Sequence, residues 1–219
     1  MVSSEVIMAS RLAREQLARV AHTLNGMSGA RNPVAPPRLP ALILMTDERR
    51  GADPMAAARA LPKGSAIILR HRDAKARRAL AQALVKIARA RGLLLLIAGD
   101  PTLAASVQAQ GLHLSEMRAM EAAHWKALRP DWLITIAAHS ASTLARAYSA
   151  GADAALLAPA FPTLSHVEKR SLGVSRFRLM ALAAQIPVYA LGGVTAASIG
   201  RLKDSSTVGI AAIEGLLPD

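Results

Sequence analysis

The sequence predicts an α/β protein of the (β/α)8 TIM barrel class, with an extra N-terminal helix and a missing or vestigial eighth helix. Three observations predict it. From residue 41 onward, short apolar runs alternate with Ala-rich amphipathic stretches, the pattern of parallel strands joined by helical crossovers. The strand-like runs number eight, which favours closure into a barrel over an open sheet. The first run leads into Thr46-Asp47-Glu48-Arg49, without the Gly-rich fingerprint that an open dinucleotide-binding sheet would want.

Taken in order, residues 4–25 read as an amphipathic helix, with Ala13, Leu17, Val20, Ala21 and Leu24 on one face. Ser3 or Ser4 suits its N-cap, and Asn25-Gly26 its stop. Pro33, Pro36, Pro37 and Pro40 mark a linker, so residues 1–40 stand apart from a barrel unit over 41–219. The strand-like runs are Ala41–Met45, Ala66–Leu69, Leu93–Ile97 and Gly111–Leu114, then Trp132–Ile136, Ala154–Leu157, Val188–Leu191 and Thr207–Ala211. Helical stretches lie between them at 53–60, 74–91, 101–110, 116–127, 140–150, 175–184 and 195–203. Asp219 follows soon after the eighth run, which leaves the outer layer without its usual last helix. The N-terminal helix then admits two readings. It docks in the slot between the first and seventh helices, or it serves as a loosely tethered arm or a dimerisation helix, the latter making a homo-oligomer.

Composition narrows the class of function. At 52% hydrophobic, the 219 residues can bury one sizeable core. The absence of cysteine excludes disulfides, thiolate metal sites and a cysteine nucleophile. The apolar run Leu93–Ala98 is far too short to span a bilayer, and Arg11, Arg14 and Glu15 interrupt any signal-peptide pattern. A cytoplasmic protein with no membrane partner is the expectation. The net charge of +12 raises nucleic acid as a partner, and the excess is concentrated in residues 1–150. Aromatic residues make up only 3%, however, which leaves few platforms for stacking bases, and many arginines fall on Ala/Arg-rich helices as a solvated face. Anionic small ligands fit this balance better than specific nucleic-acid binding.

In a barrel the loops after each strand gather at one end, and the chemistry happens there. Those loops carry Arg70, His71 and Arg72 after the second run and His139 after the fifth. They carry Thr163, Ser165 and His166 after the sixth, Gly192 and Gly193 after the seventh, and Ile213 and Glu214 after the eighth. Paired glycines let backbone N–H groups approach phosphate oxygens, and the loops after strands seven and eight are the commonest phosphate site of barrels. A tight turn explains the same pair of glycines equally well.

From Ala41 onward the chain resembles the thiamine phosphate synthase superfamily. The resemblance runs through Leu44-Met45-Thr46-Asp47, Leu69-Arg70-His71-Arg72 and Gly111-Leu112-His113-Leu114. Its most specific part extends from Gly151-Ala152-Asp153 to Pro159-Ala160-Phe161-Pro162-Thr163, and it ends on Ile186 through Thr195 with Leu191-Gly192-Gly193-Val194 inside. It implies one of two activities. Synthases join a pyrimidine pyrophosphate to a thiazole phosphate with Mg²⁺, and thiazole tautomerases aromatise a thiazole carboxylate phosphate by moving a proton without metal.

This chain departs from the synthase pattern. Ala98-Gly99 stands where synthases carry Asn-Asp, and Arg118 where they carry a second Mg²⁺ aspartate. Ala137 replaces a serine, His166 a lysine and Ile68 a glutamine. A hard divalent cation wants carboxylate oxygens, and these replacements supply none, so no metal is expected unless synthase activity is retained. The resemblance places the tautomerase histidine at His139, and imidazole suits proton transfer near neutral pH. Arg70 and Arg72 suit a substrate carboxylate, and Thr163 and Ser165 could hydrogen-bond the thiazole end, with His166 beside them. Glu214 runs against phosphate binding in the loop it shares with Ile213, unless its carboxylate turns away or is paired. The readings left open are a tautomerase-like enzyme, a synthase that has replaced its metal with arginines, and a silent barrel that binds a ligand or partner. His139 also has a bland reading, as a helix-start residue satisfied by local hydrogen bonds, and His113, inside a strand, reads as structural.

Overall fold

Eight short strands, most of them buried along their whole length, close on one another. They are β1 (Leu42–Met45), β2 (Ala66–Leu69), β3 (Leu94–Ala98), β4 (Gly111–Leu114), β5 (Leu133–Ala138), β6 (Ala154–Leu157), β7 (Val188–Leu191) and β8 (Thr207–Ala212). Every neighbouring pair is parallel, and β1 pairs with β8 through Leu42↔Ile210, Ile43↔Ala211 and Leu44↔Ala212, which completes the (β/α)8 barrel. This computed structural model describes residues 4–29, 39–48, 53–163 and 171–213, with the side chains of the first helix described at 12, 13 and 15–26.

Four runs have the expected bounds, and the others move by one or two residues. β3 and β5 extend at their C-terminal ends because the ladder continues there, pairing Ala98 with His113 and Ala138 with Leu157. Trp132 falls outside β5, its N–H donating to the Arg129 carbonyl instead.

The crossovers are α2 (Pro54–Ala60), α3 (Ala74–Arg91), α4 (Pro101–Ser106), α5 (Glu121–Leu128), α6 (Ala141–Ser149) and α7 (Gly173–Ala183). Three stretches differ from expectation by more than two residues. The 101–110 stretch stops at Ser106, since Gln108 takes a left-handed φ of 56° and the Gln110 N–H already donates to Leu95. The 116–127 stretch splits into a 3₁₀ turn at Glu116–Arg118 and α5. The 195–203 stretch contains only a 3₁₀ turn at Ile199–Leu202. Thr195 and Ser198 exchange side chain-to-backbone hydrogen bonds just before it, a local arrangement that competes with a regular helix.

The N-terminal helix, α1 (Ser4–Gly29), runs through Asn25-Gly26 rather than stopping there. The Asn25 amide does not cap it. Its Nδ2 donates instead to the carbonyls of Leu39 (3.1 Å) and Val208 (2.7 Å). α1 lies against β8, with further contact to β1 and the Ile199–Leu202 turn, and buries Leu17, Ala21 and Leu24 in the core. Ser3, the Pro33–Pro37 part of the linker and the segment beyond Ile213 lie outside the described residues.

Two apolar clusters show which strand face is which. Ile43, Met45, Ala66, Ile68, Leu96, Ala154, Leu156, Tyr189 and Ala211 form a cluster containing no helix residue, and so line the barrel interior. Alternate residues such as Leu44, Ile67, Leu95 and Leu157 pack with Ala57, Leu84, Ala147 and Phe177 of the helices. On α3, Lys75, Arg78, Lys86, Arg89 and Arg91 are exposed, as a solvated face should be. No helix among the described residues is long and apolar enough to cross a membrane.

Candidate active site

The interior alternation continues past the strand ends and delivers polar groups to the barrel mouth. After β1 and β2 it brings Asp47 and Arg70 together, with Arg70 Nη2 2.8 Å from Asp47 Oδ2. The two loops are also stitched through the backbone. The Arg70 N–H donates to Thr46 Oγ1 (3.0 Å) and the Arg72 N–H to Glu48 Oε2 (3.0 Å). That second bond holds the Glu48 carboxyl below its usual pKa. Arg70 is therefore a braced cation, 49% exposed over an Asp47 that is only 10% exposed. Arg72 is exposed, and its charge lies close enough to the Glu48 carboxylate to help lower that group's pKa.

Two histidines separate clearly. His113 in β4 is buried, its Nδ1 sharing a 2.9 Å hydrogen bond with the Thr135 hydroxyl. Burial, reinforced by the Arg70 charge, lowers its pKa to about 4 and keeps the ring neutral near pH 7. His139 is exposed at the end of β5, with Nδ1 2.7 Å from the Ala158 carbonyl at the end of β6. A carbonyl can only accept, so Nδ1 carries the proton and Nε2 is the basic nitrogen of the neutral ring. The bond is non-local. Capping of α6 is done by Ser140, whose side chain accepts the Thr143 N–H.

The Gly192-Gly193 turn has a packing cause of its own. The loop after β6 lies directly on it, the Ala160 N–H donating to Leu191 (2.8 Å) and the Phe161 N–H to Gly192 (3.0 Å). A β-carbon on Gly193 would come within 2.3 Å of the Pro162 carbonyl, and one on Gly192 within 3.1 Å of Pro159. Both glycines also take positive φ, 89° and 64°. The same geometry leaves the N–H groups of Gly193 and Val194 without a hydrogen-bond partner among the described residues. Thr163 belongs to this overlying loop, 3.7 Å from the β-carbon position of Gly192. Ile213 packs at the edge of the interior cluster just beyond β8. Ser165, His166 and Glu214 lie outside the described residues.

Several contributors were missed in the sequence. Arg77, in the first turn of α3, donates to the Ala98 carbonyl at the end of β3 instead of joining the solvated face. Its sequence signal is only positional, since that turn opens at the barrel mouth. Arg118 was singled out in the sequence, but not its tie to Glu121, three residues on, although that spacing does mark a helical ion pair. The carbonyl of Ala158 and the tether from Thr46 have no signal in residue type.

The closed barrel and its polar strand-end loops define a (β/α)8 protein of the kind that performs small-molecule chemistry at one rim. The family model for thiamine monophosphate synthase matches residues 42–216, and the chain belongs to that family, one of thiamine biosynthesis. It is 33% identical over 184 residues to the thiamine-phosphate synthase of Chlorobium luteolum, across 82% of this chain and 86% of that one. A protein of Aquifex aeolicus, provisionally named as a second thiamine-phosphate synthase, is 32% identical across 82% of this chain and 98% of its own. Among solved structures, the thiamine phosphate pyrophosphorylase of Pyrococcus furiosus shares the fold with a TM-score of 0.66. Its identity is 23%, with 78% of this chain and 84% of that one covered.

Proposed function

We propose that this chain binds a thiazole phosphate and performs a metal-independent, tautomerase-like proton transfer at His139. The observation that supports the reading is the His139–Ala158 hydrogen bond, which holds the ring through Nδ1 and leaves Nε2 free to accept a proton. A tautomerisation takes one proton from the substrate and returns one elsewhere, so a single imidazole that first accepts and then donates suffices. The amides of Gly193 and Val194 suit the phosphate, with Ile213 following β8; Glu214, outside the described residues, must then turn its carboxylate away or be paired with a cation. Arg70, held by its pair with Asp47, and Arg72, near Glu48, are the cations that would meet a substrate carboxylate. Thr163 would border the thiazole end, and Ser165 and His166, outside the described residues, are the further candidates for it from the sequence. Replacing His139 by Ala should lower aromatisation of thiazole carboxylate phosphate by about 10²- to 10⁴-fold with little change in melting temperature. Full activity in that variant would remove the mechanism.

A second reading is favoured by the relatives, which carry the name thiamine-phosphate synthase. In it the chain couples a pyrimidine pyrophosphate to the thiazole phosphate. Release of pyrophosphate from the two substrates together would distinguish it.

A further inference from the structure

The family resemblance implies Mg²⁺ held by acidic residues after the third and fourth strands, and the donor set at those places can be tested directly. The two positions do face one another. Arg118 Nη1 donates to the Gly99 carbonyl at 2.6 Å, and a β-carbon on Gly99 would lie 3.4 Å from that same nitrogen. The remaining edge of the guanidinium grips both oxygens of Glu121, Nε at 2.7 Å and Nη2 at 2.6 Å. Asp100, the acid next to Gly99, is engaged elsewhere. Its Oδ1 accepts the Leu103 N–H at 2.8 Å and caps α4, and its Oδ2 lies 4.0 Å from Arg77 Nη1. Arg77 in turn donates to the Ala98 carbonyl. The end of β3 is thus bracketed by two guanidinium groups. Among the described residues, no group of three or more His, Asp or Glu side chains could hold a metal ion. These residues do not fit a divalent cation, which needs several anionic or carbonyl oxygens and is repelled by a fixed guanidinium.

We infer that the Arg118 guanidinium stands where the family places its metal, as a positioning residue that ties the end of β3 to α5. The swap is internally consistent. An aspartate at position 99 would have to take the left-handed φ of 68° that Gly99 adopts, and one at 118 would remove the guanidinium that grips Glu121. Because Glu121 already balances the Arg118 charge, the strut closes the position without offering the cation a leaving pyrophosphate would need. The ligand class that remains is a single phosphate rather than a metal pyrophosphate. This deepens the proposed function but is read without turnover.

The test is a titration of the full chain with Mn²⁺ alone, with free and bound ion distinguished by electron paramagnetic resonance. Wild type and Arg118→Gln should show no saturable site with Kd below about 1 mM. Arg118→Asp, which sets a new carboxylate beside Asp100 and Glu121, should gain a site at least about tenfold tighter. A saturable site in wild type overturns the inference, whether or not Arg118→Asp folds. So does an Arg118→Asp protein of native circular dichroism that gains no site. Failure of the His139 reading would leave these titrations unchanged, so the two ideas fall separately.

Discussion

His113 and His139 show how one residue type acquires two roles from its surroundings. His113 is enclosed beside Thr135, and its pKa of about 4 lies below the 6.5 it has in an open chain. Between those values the unfolded chain binds more protons than the folded one, so stability rises with pH. The contribution is complete above pH 6.5 and is lost as pH falls toward 4, by about 3 kcal/mol in all. Urea midpoints at pH 7 and pH 4.5 should therefore lie closer together in His113→Gln than in wild type. An equal acid loss in both proteins would show that His113 titrates normally. The strand position of His113 marked it as structural in the sequence. The anchoring of His139 was not legible, because its partner is a backbone carbonyl nineteen positions away and carbonyls carry no sequence signal.

Elements were legible in proportion to how strongly burial constrains them. Strands such as Ala66–Leu69 and Ala154–Leu157 are apolar on both faces, so their bounds could be read residue by residue. The crossover after β7 was misread because Thr195 and Ser198 satisfy each other locally, a choice that apolar periodicity does not report. For α1 the periodic face was visible and its partner was not. The structure seats that face on β8, with Leu17 at 1% exposure and Leu12 at 56%. Leu17→Ala should cost about 2–5 kcal/mol in urea unfolding, whereas Leu12→Ala should change stability by less than about 0.5 kcal/mol. Equal, negligible effects would return α1 to a tethered arm. The Gly192-Gly193 turn is the reverse case. It was legible as a feature, but the sequence could not show that the loop after β6 alone already requires both glycines.

At the scale of the whole molecule, a barrel of the thiamine monophosphate synthase family keeps the rim and rebuilds what the rim presents. The loops after β2 and β7 present cations and amides without a partner among the described residues, while Gly99 and Arg118, where the resemblance implies metal aspartates, are joined by a hydrogen bond. Part of the net charge of +12 sits on exposed helix faces such as that of α3, away from the mouth. The central claim, that those residues move a proton and need no metal, is tested most directly on the wild-type protein. Its aromatisation of thiazole carboxylate phosphate in excess EDTA should be measured beside pyrophosphate release from pyrimidine pyrophosphate and thiazole phosphate with Mg²⁺. The account predicts turnover in the first assay and none in the second. Mg²⁺-dependent pyrophosphate release without aromatisation would contradict it.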